Sequence, residues 1–155
     1  MFRINIIAIG RNKDAWIELG IDHYLKLLRK SAQVNLAVIP DVKSAGNLSP
    51  QELRKAEANS FRKHLKSDFI IALSDRGRLM TSEEFADFLQ VLMTRSPGCD
   101  FLIGGIYGLD ESILKTSREI ISLSPMTMSH RLIRPVLLEQ IYRAFSIISG
   151  GNYHK

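Results

Sequence analysis

Short apolar runs alternate along this chain with longer segments that carry a helical period. The first run, from Arg3 to Ile9, is mostly apolar, which is typical of a strand buried on both faces. The next segment instead spaces Trp16, Ile17, Ile21 and its other apolar residues three or four positions apart. Strands that alternate with helices in this way favour an α/β fold, a mostly parallel sheet flanked by helices.

The same alternation continues to the end of the chain. Further strands are predicted at 34–39, 69–73, 101–103 and 119–123, and helices at 14–28, 49–65, 81–93, 110–117 and 134–149. Two helix starts carry capping boxes, Ser49 with Glu52 and Thr81 with Glu84. Residues 74–77 form a predicted polar turn, 97–98 a break and 41–48 a linker-like loop. The chain contains no repeat and no low-complexity segment, so residues 1–155 are expected to form one domain.

Charge and cysteine content narrow the class of protein. The formal net charge is +5, which favours an anionic partner with nucleic acid first, although many small basic proteins bind nothing anionic. The single cysteine, Cys99, excludes a disulfide within the chain and favours a reducing compartment. No apolar run is long enough for a membrane span or a signal peptide core. These features predict a cytoplasmic protein without a membrane partner.

Several common catalytic signatures do not occur. The glycines at 104, 105 and 108 lack the spacing of the dinucleotide fingerprint, and no glycine-rich loop ends in Gly-Lys-Ser or Gly-Lys-Thr. The histidines at 23, 64, 130 and 154 have no zinc-ligand spacing, so no metal is predicted. There is no Gly-x-Ser-x-Gly elbow of a hydrolase.

Three loops follow predicted strands and should meet at the carboxyl edge of the sheet: 73–77, 104–108 and 123–130. Gly104 and Gly105 let a ligand approach the backbone. The third loop offers hydroxyls, main-chain groups, two methionines and a proline, without a charge before His130. Such a lining suits a neutral heterocycle. The alternative is that each loop only connects a strand to a helix.

The C-terminal segment has a different character. Glu139, Arg143 and Ser146 share one helical stripe, and two glycines at 150–151 form a hinge before the final residues. Tyr153, His154 and Lys155 could stack on a base, exchange a proton and contact a phosphate. A surface ion pair and a frayed terminus are the alternative interpretations.

Four motifs of the last third make the chain resemble a known family. They are Phe101-Leu-Ile-Gly-Gly-x-x-Gly-Leu109, Ser122-Leu-Ser-x-Met-Thr-Met-x-His130, Arg134 with Glu139-Gln-x-Tyr-Arg-Ala144, and Tyr153-His-Lys155. Together they resemble the RlmH family, the 23S rRNA pseudouridine-N3 methyltransferases of the SPOUT superfamily. The resemblance implies a SPOUT-type α/β fold with a C-terminal trefoil knot and a homodimer packed through the knotted region. It also implies S-adenosyl-L-methionine as cofactor and 23S rRNA of the assembled ribosome, in the helix 69 loop, as substrate.

The resemblance also implies roles for individual residues. The family's cofactor positions match Leu73, Gly104, Leu123, Ser124, Pro125, Met126, Thr127 and Met128, to which the loop argument adds Gly105. For catalysis we expect His154 as the base or its positioning group, Arg143 as electrostatic stabiliser, Tyr153 as a stacking group, and Glu139. For RNA binding we expect Arg134, His130 and Lys155.

Other expectations concern the loop and the RNA surface. Ser129 stands where many relatives have proline, which could loosen the loop. Basic residues on or just beyond the second helix are expected either to contact RNA or to form a solvated face: Arg54, Lys55, Arg62, Lys63 and Lys66. Two alternative functions stay open, a SPOUT methyltransferase for a ribose 2′-hydroxyl or another base, and a non-catalytic ribosome-binding factor.

Overall fold

All five predicted strands form, and they lie parallel in one sheet of order β2-β1-β4-β3-β5. The computed structural model describes all of residues 1–155. The strands are β1 (Arg3–Ile9), β2 (Gln33–Ile39), β3 (Ile70–Leu79), β4 (Gly98–Ile103) and β5 (Glu119–Ser122). The helices are α1 (Ala15–Leu28), α2 (Pro50–His64), α3 (Ser82–Arg95), α4 (Glu111–Thr116) and α5 (Ile133–Ile148). The predicted α/β class is confirmed. None of the helices has the length and apolar character to span a bilayer.

The helices cover both faces of the sheet. Ile4, Ile6 and Ala8 of β1 join the larger core cluster with α1, α3 and α5. Ile7 and Ile9 of the same strand face the opposite way, into a smaller cluster with α2 and α4. Because side chains alternate across a strand, a central strand needs apolar residues at nearly every position.

Two strand boundaries differ from the prediction. Leu73 and Arg78 both pair with Ile121 of β5, so the polar residues 74–77 bulge out of a longer strand rather than ending it. β4 begins at Gly98, in the predicted break, because Gly98 pairs with Arg3 of β1. In both places pairing with a neighbouring strand overrides the local turn signal.

The segment after β5, residues 123–130, crosses the carboxyl edge of the sheet. β5 lies at the outer edge beside β3, yet the guanidinium of Arg134 bonds the carbonyl oxygens of Ile9 and Gly10 at the end of β1. The chain therefore passes the ends of β3 and β4 before α5 packs against α1 and α3. We call residues 123–130 the crossing segment. The predicted trefoil knot concerns the threading of this segment and stays a prediction.

A buried carboxylate organises the opposite, amino edge. Asp100 of β4 is fully buried. Its Oδ1 accepts a hydrogen bond from Asn5 Nδ2 at 2.7 Å. Its Oδ2 accepts the backbone N–H groups of Lys66 and Ser67 at 2.6 and 2.9 Å.

We expect Asp100→Ala to lower the free energy of unfolding by about 3 kcal/mol, because two backbone N–H groups lose their only acceptor. Urea denaturation measures this loss. Asn5→Ala is the control, and it removes one donor and should cost only about 1 kcal/mol. Equal effects of the two substitutions would contradict the central role of the carboxylate.

Candidate active site

The three predicted loops meet at the carboxyl edge, as expected for parallel strands. Thr127 Oγ1 of the crossing segment lies 3.4 Å from Asp75 Oδ2 in the β3 bulge. After β4, Gly105 and Gly108 form a bridge that closes a glycine loop, residues 104–108. The cofactor candidates in all three loops therefore lie along one edge of the sheet.

The crossing segment leaves several main-chain groups free. Ser122 Oγ donates to the carbonyl of Ser124, and Ser124 Oγ accepts the N–H of Met126, which fixes the first turn. The backbone N–H and carbonyl groups of Leu123, Thr127 and Met128 make no hydrogen bond within the chain. These groups can bind a heterocycle through its ring edge, so the donor set fits a neutral adenosyl group.

Ser129 ties the crossing segment to α5. Its Oγ accepts the N–H of Leu132 at 3.1 Å, and its carbonyl accepts the N–H of Ile133. The serine therefore stabilises the first turn before the helix. The expectation that Ser129 loosens this loop is not supported.

Internal packing requires glycine at position 104, which faces backbone, whereas position 105 faces the end of a side chain. A Cβ on Gly104 would lie 2.5 Å from the backbone carbon of Gly108, and a Cβ on Gly105 would lie 2.6 Å from Glu57 Oε1. Real side-chain carbons do not approach other atoms so closely. Gly104 is thus explained without a ligand, and close approach of a ligand at both positions stays a prediction.

The structure corrects the role predicted for Arg134. The residue is fully buried, and its Nη2 donates to the carbonyls of Ile9 and Gly10 at 2.7 Å each. Its Nε donates to the carbonyl of His130, and Nη1 is buried as well. No part of the guanidinium reaches solvent, so it cannot hold an RNA phosphate from this position. It instead fastens the crossing segment to β1.

His130 lies in the same region, half-buried beside Asp41 and the end of β1. A Cβ on Gly10 would meet His130 Nε2 at 3.5 Å and Asp41 Oδ1 at 3.1 Å. Burial lowers the pKa of His130, and the positive charges of Arg134 and Arg131 lower it further. The ring is therefore neutral near pH 7, and a contact with RNA would use a neutral imidazole.

The C-terminal tail folds back along α5 instead of fraying. Gly150 ends the helix with φ of 69°, a left-handed conformation that glycine adopts readily. The N–H of Gly151 then bonds the carbonyl of Ser146, and the N–H of Tyr153 bonds Ser146 Oγ. This reversal places Tyr153 and His154 beside the middle of the helix, while Lys155 stays exposed.

Glu139 is the common acceptor of this tail cluster. Its Oε1 accepts Arg143 Nη2 at 2.6 Å, Arg143 Nε at 3.0 Å and the hydroxyl of Tyr153 at 3.2 Å. The hydrogen bond to Glu139 raises the pKa of Arg143, which keeps the guanidinium charged. The hydrogen bond with Tyr24, together with burial, raises the pKa of Tyr153, so its phenol stays protonated.

The hydrogen bonds of His154 fix its tautomer. Arg143 Nη1 lies 3.2 Å from His154 Nδ1, and because a guanidinium only donates, Nδ1 must be the acceptor. The proton is then on Nε2, which donates to Glu83 Oε1 at 2.8 Å. This bond lowers the pKa of Glu83 below its usual value. In this arrangement the Nδ1 lone pair is occupied by the N–H of Arg143.

The structure thus brings the four catalytic candidates together, but it separates them from the cofactor candidates. The side chains of Glu139, Arg143, Tyr153 and His154 bond one another and residues of α1, α3 and α5. None of them bonds the crossing segment or the glycine loop of its own chain.

Sequence reasoning missed several neighbours of these residues. Glu83 was visible only as part of a helix start, and Tyr24 as an ordinary core-facing residue of α1. Glu57 and Asp41 belong to segments that gave no catalytic signal. No local pattern could have indicated these contacts, because each joins residues far apart in the chain.

A groove of about 580 Å³ lies away from this edge. It is lined by residues of α3, the outer end of β3 and the start of β5, including Phe69, Leu79, Phe88, Val91 and Arg118. None of the predicted site residues lines it. The groove therefore does not indicate a different position for the candidate site.

Comparison with known proteins gives full-length matches. A family model described as "Predicted SPOUT methyltransferase" matches residues 2–154. A protein of Alkaliphilus oremlandii, named ribosomal RNA large subunit methyltransferase H, is 41% identical over 98% of this chain and 99% of its own length. A protein of the same name from Clostridium botulinum is 40% identical over the same shares.

One solved structure supports the fold. It is a probable methylase family protein from Haemophilus influenzae, with a TM-score of 0.56 and 14% sequence identity. The match covers 99% of this chain and 70% of that chain. At this level of identity the likeness concerns the architecture alone.

We expect Arg134→Met to lower the free energy of unfolding by about 2 kcal/mol, since buried carbonyl groups lose a charged donor. Amide exchange in the crossing segment should become faster at the same time. Arg131→Met is a matched control, because the side chain of Arg131 makes no hydrogen bond. If Arg134→Met instead left stability unchanged and reduced the salt dependence of RNA binding by about one counterion, the predicted phosphate role would be right.

Proposed function

The chain belongs to the SPOUT methyltransferase family, and on this basis we propose that it methylates N3 of a pseudouridine in the helix 69 loop of 23S rRNA. The observation that carries the proposal is the full-length likeness to proteins named for methylation of large-subunit ribosomal RNA. The choice of atom and nucleotide rests on the resemblance of the C-terminal motifs to the RlmH family. The proposed substrate is the assembled ribosome.

The proposed methyl donor is S-adenosyl-L-methionine, which when bound supplies an electrophilic methyl group on a sulfonium. The free main-chain groups of Leu123, Thr127 and Met128 are suited to the edge of its adenine. Leu73 and the glycine loop would complete the walls of the cleft. The donor then lies in a charge-poor crevice, where positioning supplies much of the rate.

The tail cluster would prepare the acceptor. N3 of a pseudouridine carries a weakly acidic proton that must leave before or during attack. His154 would act as the base or its positioning group: Nδ1 would receive this proton once Arg143 Nη1 turns from it to the substrate, with Glu83 holding the N–H of the other ring nitrogen. Arg143, held by Glu139, would stabilise the resulting anion. Tyr153, which is 38% exposed, would stack on the base.

The separation of the tail cluster from the cleft supports a homodimer in which each tail serves the partner's cleft. On α1, Trp16 and Leu19 are 63% and 70% exposed, an apolar pair that favours contact with another protein surface. The tail cluster touches the same helix through Tyr24. An interface over α1 would therefore bring the tail close to the second chain.

The basic face of α2 would contact rRNA, together with Lys155. Lys55, Arg62, Lys63 and Lys66 are exposed on or just beyond this helix. Exposed cations attract phosphate and release counterions on binding. Ribosome affinity should then fall steeply with added salt, and a flat dependence would argue against this surface.

The proposed reaction predicts labelled methyl transfer from S-adenosyl-L-methionine to intact ribosomes, with less or none to free large subunits and naked rRNA. Mapping the methylated nucleotide by mass spectrometry identifies the base and the atom. Ribosomes with uridine in place of the pseudouridine are the matched control. Methylation of a ribose hydroxyl or another base would establish the other SPOUT activity, and binding without transfer would indicate a ribosome-binding factor.

Arg143→Met should lower kcat by about 100-fold, because the developing anion loses its cation. Binding of the donor, measured by calorimetry, should not change. Arg95→Met, at an exposed arginine of α3 away from the cluster, is the control. Equal kcat for the two variants would remove Arg143 from the mechanism.

Mixing two inactive variants tests whether the tail acts on the partner. Arg143→Met disables the tail, and Thr127→Trp is expected to block the cleft. An equal mixture should recover about one quarter of the wild-type activity, because half of the dimers are mixed and each has one complete site. No recovery after verified subunit exchange would show that each tail serves its own chain.

A further inference from the structure

A carboxylate interrupts the buried apolar face of α2. Leu53, Ala58 and Phe61 of this face pack into the core, and Glu57 lies among them with only 5% of its surface exposed. Ala58 and Phe61 belong to the smaller core cluster, whose other members, including Leu102 and Ile113, are all apolar. A fold would ordinarily place an aliphatic residue at such a position.

No cation compensates the burial of Glu57. The ion pairs of the structure join other residues, and the one charged side chain that acts on Glu57 is the carboxylate of Asp41. Burial raises the pKa of Glu57, and the nearby backbone of Gly105 opposes this effect. A buried, uncompensated carboxylate lowers stability, and hydrophobic replacements at such sites are often neutral or stabilising.

The carboxylate lies directly against the glycine loop. A Cβ on Gly105 would be 2.6 Å from Oε1 and 3.0 Å from Oε2 of Glu57. The loop has one hydrogen bond within itself, from the N–H of Gly108 to the carbonyl of Gly105. Glu57 is therefore the side chain that anchors the loop to the body of the protein at Gly105.

We propose that Glu57 is a positioning residue that sets the shape of the glycine loop through the contact of its carboxylate with the backbone of Gly105, and thereby the affinity for the methyl donor. It contacts the loop from α2 and touches none of the reacting atoms. The inference rests on the proposed function for the identity of the ligand. The effect of Glu57 on the loop can also be measured without a ligand.

The test compares Glu57→Met, Glu57→Gln and Phe61→Leu in the full chain. Glu57→Met keeps the length of the side chain and removes both acceptors. Its unfolding midpoint in urea should be unchanged or higher, while the amide of Gly108, whose hydrogen bond closes the loop, exchanges about tenfold faster and the Kd for S-adenosyl-L-methionine rises about tenfold. Glu57→Gln keeps one carbonyl acceptor and should restore the affinity to within about threefold of wild type.

Phe61→Leu is the matched control on the same helix face. It should lower the unfolding midpoint through a cavity, without changing the exchange of the loop or the Kd. If Glu57→Met instead behaves like Phe61→Leu, the carboxylate has only a structural role and the proposal is wrong. If the wild type does not bind S-adenosyl-L-methionine, the proposed function fails, while loop exchange in the unliganded protein still decides the role of Glu57.

Discussion

The buried guanidinium of Arg134 joins the start of α5 to the end of β1, and the geometry of the carboxyl edge depends on this contact. Nη2 donates to two carbonyls of one strand end, and Nε donates to the carbonyl of His130. The other contacts of the crossing segment are weaker, since Thr127 lies 3.4 Å from Asp75 and Ser129 bonds only its own turn. Arg134, expected from the sequence to bind phosphate, thus fastens the crossing segment, which is part of the proposed cofactor site.

The tail cluster and the proposed cofactor cleft differ in the kind of polar groups that they offer. In the cluster, Glu139 collects three donors on one oxygen and so orders Arg143 and Tyr153, while Glu83 orders His154. The cleft instead offers free main-chain groups and few charges. A neutral heterocycle suits the second surface, whereas a base that loses a proton suits the first. The proposed reaction needs both, which is why their separation within one chain favours a shared site.

The sequence predicted the parts of the fold that depend on local pattern. The buried strands, the capping boxes at Ser49 and Thr81, and the convergence of three loops all follow from neighbouring residues. The β3 bulge could not be predicted in this way, because it depends on the register with Ile121 of β5. The contacts of Arg134 and Glu57 join distant segments, and a single chain contains no signal for them. Motif resemblance named Glu139, Arg143, Tyr153 and His154 together, and the structure places their side chains in contact. It could not indicate that Glu83 bonds the imidazole.

The strand order has a consequence for how this chain folds during its synthesis. β1 emerges first, yet its neighbour β4 and its contact with Arg134 lie about one hundred residues later, as the sequence separations of 95 and 125 show. Such long-range closure slows folding and leaves early segments exposed. In the N-terminal half only β1 and β2 can pair. Their apolar surface therefore stays exposed until the last third of the polypeptide has been translated.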